Sequence, residues 1–201
     1  KTMITSSDGI LASQSAGKKW RTDFMKITGV ACTAGRYYDI SLASGHPVQN
    51  LYAGTNLTFV PLSDTDGKGI YHGGNVMPDF KHIVNFGMNS TVATALGSNF
   101  DLIDVLGYYP LTTNTITTAQ TLINTLPLPR YADGAGVRAY IVAVGTMGAG
   151  TPNITISYTN QAGVAGRTMP VTVSAVATAV QGHIVHSDPS ANKYFPFLPL
   201  Q

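Results

Sequence analysis

Residues 128–171 read LPRYADGAGVRAYIVAVGTMGAGTPNITISYTNQAGVAGRTMPV. This stretch decides the fold class. In 137–144, Val137, Ala139, Ile141 and Ala143 alternate with Arg138, Tyr140, Val142 and Val144. Both faces are largely apolar, the pattern of an inner strand of a sandwich. In 153–159, Ile154, Ile156 and Tyr158 point one way and Thr155, Ser157 and Thr159 the other. That predicts a strand with one buried face. A third strand is expected over 168–176, where Val171, Val173 and Ala175 alternate with Thr172, Ser174 and Val176. Tight corners separate these runs, at Asp133-Gly134-Ala135-Gly136 and at Asn160-Gln161-Ala162-Gly163. Asp133 and Asn160 are expected to bond turn amides, and Arg130 and Arg167 to bond loop carbonyls or Asp. Arg130, Tyr131, Asp133, Gly134, Asn160, Gln161, Gly163 and Arg167 are thus assigned structural work at the corners.

Outward from this stretch the same rhythm continues. Strand-like runs lie at 24–33, 40–42, 56–62 and about 182–186, with turn residues between them. Ser98 at an N-cap position, Asp101, and then Leu102, Ile103, Val105 and Leu106 before Gly107 predict one short helix near 99–107. Strands every ten residues or so, with no alternation of strand and long helix, indicate a mainly β chain. The expected architecture is an antiparallel β-sandwich or jelly roll with long loops. Residues 1–22 are small and polar, with Trp20 as an anchor, and are read as an extended N-terminal arm. Residues 23–201 are read as a single β-sandwich domain. Its last run, with Phe195, Phe197, Leu198 and Leu200, is apolar enough to require a partner surface, so it is expected to dock on a neighbour or to lead into further chain.

Composition narrows the function. The chain has 201 residues, enough for a sizeable core, and only 11% are charged, for a net charge of +2. Ordinary domains carry about 25% charged residues. A surface this neutral gives copies little reason to repel one another. The longest basic cluster, Lys18-Lys19-Trp20-Arg21, is too small for duplex recognition. No run approaches the roughly 20 apolar residues of a membrane span. The single cysteine, Cys32, rules out a disulfide within the chain.

No catalytic, cofactor or metal set emerges. All ten acidic residues are Asp. Asp101 and Asp133 read as a cap and a turn former rather than as the paired carboxylates of a glycosidase. Asp64-Thr65-Asp66-Gly67 lacks the later ligands of a calcium loop. His183 and His186, even with Asp188 near, form no recognisable zinc set. No Gly-x-Ser-x-Gly elbow or phosphate loop is present. Paired tyrosines at 37–38 and 108–109 suit packing, with a sugar-binding face as the alternative.

Two groups of residues carry a family likeness. One is Leu128-Pro129-Arg130-Tyr131-x-Asp133-Gly134-x-Gly136-Val137, followed by Ile156-x-Tyr158-Thr159-Asn160-Gln161-x-Gly163-x-x-Gly166-Arg167. The other is Gly35-Arg36-Tyr37-Tyr38-Asp39-Ile40-Ser41-Leu42, together with Tyr108-Tyr109-Pro110. As a set, scattered from Met25 to Gln201, they resemble a group of tailed-bacteriophage virion structural proteins. The resemblance implies a β-rich capsid- or tail-associated subunit present in many copies, assembled in the host cytoplasm, with no catalytic role and no cofactor. Its expected partners are copies of itself and other virion proteins, with no sequence-specific nucleic acid and no membrane. Trp20, Phe195, Phe197, Leu198 and Leu200 are the expected assembly contacts. Capsid decoration or another head-associated role is favoured. The alternative reading is a carbohydrate-binding module for host surface recognition, and a glycan hydrolase stands behind it.

Overall fold

The computed structural model describes residues 6–27, 36–63, 67–73, 81–89, 100–110, 118–124, 126–160, 162–169, 173–175 and 177–185. The chain packs as two compact units. Lys1–Asp23 groups with Tyr71–Val105, and Phe24–Ile70 with Leu106–Gln201. The sequence reading divided the chain at residue 22 alone; packing adds 71–105 to the N-terminal unit.

The first unit contains helix α1, Ser7–Ser15. The Ser6 hydroxyl accepts from Gly9 N at 3.3 Å, and Asp8 sits in the first turn, where the helix dipole favours an anion. At the other end Gly17, with φ +67°, donates to Gln14 O at 3.1 Å and closes the helix. The expectation of an extended arm is therefore corrected over this stretch. A cap, an αL stop and Leu-Ala-Ser-Gln between them are enough to wind it. No residue of α1 is buried.

The second unit is built from short antiparallel pairs. β1 (Met25–Ile27) pairs with β2 (Ser44–His46), setting Lys26 opposite Gly45. Gly45 has φ +131°, and a Cβ there would lie 2.0 Å from Met25 O, so only glycine lets the strands approach. Between the two strands Ile40–Leu42 forms a 3₁₀ turn rather than the expected strand. Its cause is Asp39, whose carboxylate accepts from Ser41 N at 2.8 Å and folds the chain back on itself.

β3 (Val60–Pro61) pairs with β4 (Gly107–Tyr108). The helix expected near 99–107 is thereby corrected. Residues 100–106 are not helical, and Gly107–Tyr108 is strand. Tertiary pairing outweighs the local helical pattern here. Leu62 N donates to Leu106 O at 2.9 Å, Leu57 N to Pro110 O at 2.7 Å, and Tyr108 Oη to Ala53 O at 2.8 Å. Phe59 lies against Gly107, where an added Cβ would fall 2.4 Å from two of its ring carbons.

The opening stretch forms a broken hairpin. β5 (Asn153–Ile154) pairs with β8 (Val173–Ser174), and β6 (Ser157–Tyr158) with β7 (Arg167–Thr168). The expected continuous strand over 153–159 is broken at residues 155–156, which are not strand. Between the two pairings the chain counts two residues on that side and four on the other, so the two ladders do not join in one regular register. Of the expected strand over 168–176, residues 170–172 and 176 lie outside the described residues. The expected strand over 137–144 contributes a narrower contact. Residues 141–143 flank residues 182–185, through Ala143 N to His183 O at 2.9 Å and Val185 N to Ile141 O at 2.8 Å. On the other side of 182–185 lie residues 37–39, with Asp39 N to Gly182 O at 2.7 Å and Ile184 N to Tyr37 O at 3.0 Å. The small core sits beside this three-segment arrangement. Ala143, Ala175, Ala179 and Val185 are buried, with Ile141, Met147 and Ile154 packed against them. The protein is mostly non-helical, and among the described residues its strands form separate two-stranded pairs rather than a closed sandwich or barrel.

Candidate functional site

The turn that Asp39 makes also places its carboxylate at the centre of a polar knot in the second unit. Tyr52 Oη donates to Asp39 Oδ2 through a short hydrogen bond, and Tyr140 Oη donates to the same oxygen at 3.5 Å. Ser41 Oγ lies 2.9 Å from Tyr52 Oη. Tyr52 is itself held by Asn50, whose Oδ1 accepts from Tyr52 N at 3.2 Å and whose own amide donates to Ser41 O at 2.9 Å. Burial, and then the Asp39 charge, push the Tyr52 phenol far above the ordinary tyrosine range. It therefore stays protonated and serves as a donor.

Lys26 closes the other side of the turn. Its ammonium donates to Pro47 O at 2.6 Å, Ala43 O at 3.1 Å and Ser41 O at 3.5 Å. An ammonium has three protons, so all are engaged. Burial lowers the Lys26 pKa, and the Asp39 charge opposes that shift. Asp39, Tyr52, Tyr140, Ser41 and Lys26 form a closed set whose donors and acceptors face one another. Such a set rigidifies the loop between β1 and β2.

Next to the knot, His183 stacks on Tyr38, with ring centroids 5.1 Å apart and planes inclined by 21°. His183 is 4% exposed. Burial, and then the Arg36 charge, hold its imidazole below the ordinary histidine range. Arg36 Nη1 and His183 Nε2 are both buried without a hydrogen-bond partner.

The corner residues singled out from sequence occupy turns. Arg130 Nη1 donates to Leu62 O at 3.2 Å. Tyr131, with φ +53°, is 56% exposed, and its carbonyl accepts from Gly134 N at 2.8 Å. Asp133 Oδ1 accepts from Ala135 N at 3.1 Å. Asn160 Oδ1 accepts from Val164 N at 2.9 Å, and Asn160 O from Gly163 N at 3.0 Å. Arg167 lies in β7 opposite Tyr158. These residues do not converge on one place. Gln161, Phe195, Phe197, Leu198 and Leu200 lie outside the described residues. Trp20 is 56% exposed, donates to Tyr71 O at 3.2 Å and meets the Tyr71 ring edge-on at 5.4 Å.

Sequence reading missed the knot because it left the residues between the strand-like runs 24–33 and 40–42 as turn. The available signal was charge in an aromatic setting: Arg36 and Asp39 flank Tyr37-Tyr38 in a chain where only 11% of residues are charged. Among the described residues no group of three His, Cys, Asp or Glu is arranged to hold a metal ion, and no helix is long and apolar enough to cross a membrane. Asp64, Thr65, Asp66 and His186 lie outside the described residues. No protein family, curated protein or solved structure matches the chain.

Proposed function

We propose that this chain is a non-enzymatic structural subunit of a tailed-phage virion, assembling in many copies through complementary apolar surfaces, in a capsid-decorating or other head-associated role. The observation that carries the reading is the imbalance between exposed and buried apolar side chains. Among the described residues nineteen large apolar or aromatic side chains are exposed, against nine buried apolar residues, three of them alanine. The first unit is the extreme case. None of its described residues is buried, while Leu11 is 64% exposed, Ile83 70%, Val84 57% and Leu102 53%. Exposed apolar side chains in this number support a surface that is covered on assembly. Low net charge supports the same reading. In the assembled particle the ribbons join into the antiparallel sandwich or jelly-roll layers that the strand rhythm of the sequence suggests.

The test is the size of the native object. Sedimentation of the purified chain is expected to show a large discrete assembly, and mass spectrometry of purified phage particles is expected to find the chain in many copies. A monomer at every concentration, absent from particles, overturns the proposal. A second reading, a carbohydrate-binding module, is favoured by the exposed Trp20–Tyr71 pair. Saturable binding on a glycan array, lost in Trp20→Ala, would select it.

A further inference from the structure

Arg36 and His183 hold buried polar atoms that the knot beside them leaves unused. Tyr38 and His183 face each other as a non-hydrogen-bonded pair, flanked by the bonds Asp39 N to Gly182 O and Ile184 N to Tyr37 O. Side chains of such a pair lie close, which accounts for the stacked rings. Arg36 is two residues before Tyr38, and side chains two apart on extended chain leave on the same side. Its charge is felt at the His183 ring. Arg36 Nη1 and His183 Nε2 have no partner, and His183 is 4% exposed.

A guanidinium cannot escape burial by losing its proton. Arg36 is half-buried, and its buried Nη1 requires a counter-charge or a hydrogen-bond acceptor. Among the described residues, the segments packed here do not supply one. Residues 141–143 are Ile, Val and Ala, and residues 182–185 are Gly, His, Ile and Val. The only carboxylate on residues 36–39 is Asp39, which leaves on the side opposite Tyr38. It is occupied by Tyr52, Tyr140 and the Ser41 amide. Lys26 belongs to that other side as well, bound to three carbonyls.

We infer that Arg36 and His183 form a binding site for a small oxyanion, a carboxylate or phosphate group. Arg36 Nη1 donates to one oxygen and the Nε2–H tautomer of His183 to another. The bound charge offsets the field of Arg36, so binding raises the protonation midpoint of His183. The oxyanion is either a free ion or an acidic side chain of a second copy of the chain, and the two sources separate experimentally.

The imidazole resonances of His183 are followed by NMR in the full chain, with inorganic phosphate and then acetate added at constant ionic strength set by sodium chloride. A free-ion site gives a saturable shift and an upward move of the His183 midpoint at any protein concentration. A side chain from a second copy gives the same changes without added anion, growing with protein concentration. Arg36→Gln is expected to weaken either response about ten-fold or more. Arg36→Lys keeps the charge, loses the planar fork and falls between the two. The ring-current signature of Tyr38 on His183 reports that each variant retains the fold. No response to phosphate, acetate or protein concentration overturns the inference and leaves only water at these atoms. A response equal in wild type and Arg36→Gln overturns it too.

Discussion

Gly107 sits where no side chain fits. A Cβ there would lie 2.4 Å from Phe59 Cε2 and Cζ and 2.7 Å from Val60 O. Gly107→Ala must push Phe59, which is 7% exposed, out of its place. The expected cost is about 1–3 kcal/mol, measured by urea unfolding. Gly69→Ala, where nothing lies within 4 Å of the added carbon, is the control and should stay close to wild type. At His183 the prediction concerns pH. Its folded value is depressed, first by burial and then by Arg36, below an unfolded value of about 6.5. Above about pH 6.5 both states are neutral, and His183 adds no pH dependence. Below it the unfolded chain binds a proton that the folded chain resists, so stability falls until the folded value is passed. Unfolding free energy against pH should therefore slope more steeply below pH 6.5 in wild type than in His183→Asn. Identical slopes would mean that the imidazole protonates freely in the fold.

At the scale of elements, the pairs are held by single close approaches rather than by long ladders. β1 and β2 meet at Lys26 and Gly45, and Gly45→Ala places a carbon 2.0 Å from Met25 O with φ at +131°. The expected loss is about 2 kcal/mol or more, seen as faster amide exchange in Met25–Ile27; unchanged exchange would show that the ribbon tolerates a side chain. α1 shows the opposite economy. A nine-residue helix with no buried residue is marginal by itself, so it adds little stability. Deleting residues 1–22 should leave the urea midpoint of the remaining fold unchanged and weaken incorporation into particles. Undiminished incorporation would remove these residues from the assembly surface. The contrast between α1 and residues 99–107 explains what was legible at this scale. Ser6 and Gly17 are cap signals strong enough to act locally, yet they sit in a polar stretch that attracted no helical reading. Ser98 and Gly107 looked like caps, but Gly107 serves Phe59, a residue 48 positions earlier in the sequence. Short-range pattern carries no information about a contact of that range.

For the whole molecule the deciding quantity is apolar surface left uncovered. The second unit buries Leu42, Tyr52, Phe59 and the alanine-rich cluster around Val185, while Met25 and Ile27 on β1 are each 64% exposed. If assembly covers such residues, it is driven by the hydrophobic effect rather than by ion pairs. Raising sodium chloride from about 0.1 M to 1 M, which shortens the screening length from about 10 Å to 3 Å, should then leave the particles intact. The melting temperature of the free subunit should rise with its concentration. Dissociation by salt would show that charge, not apolar contact, joins the copies.

Some of this was fixed by residue type alone. Turns at Asp133-Gly134 and Asn160–Gly163 follow from side chains that bond their own backbone and from glycines free to take positive φ. The mainly non-helical character follows from strand-length alternation between such turns. The scarcity of charge is a matter of counting. Tertiary structure decided the rest. It set the paired runs at two or three residues each, because register is a property of both partners together. It also brought Asp39 to Tyr52 and Tyr140, and Arg36 with Tyr38 to His183, across separations of up to about 145 residues. Burial and charge at those places come from neighbours distant in sequence, and no local pattern encodes them.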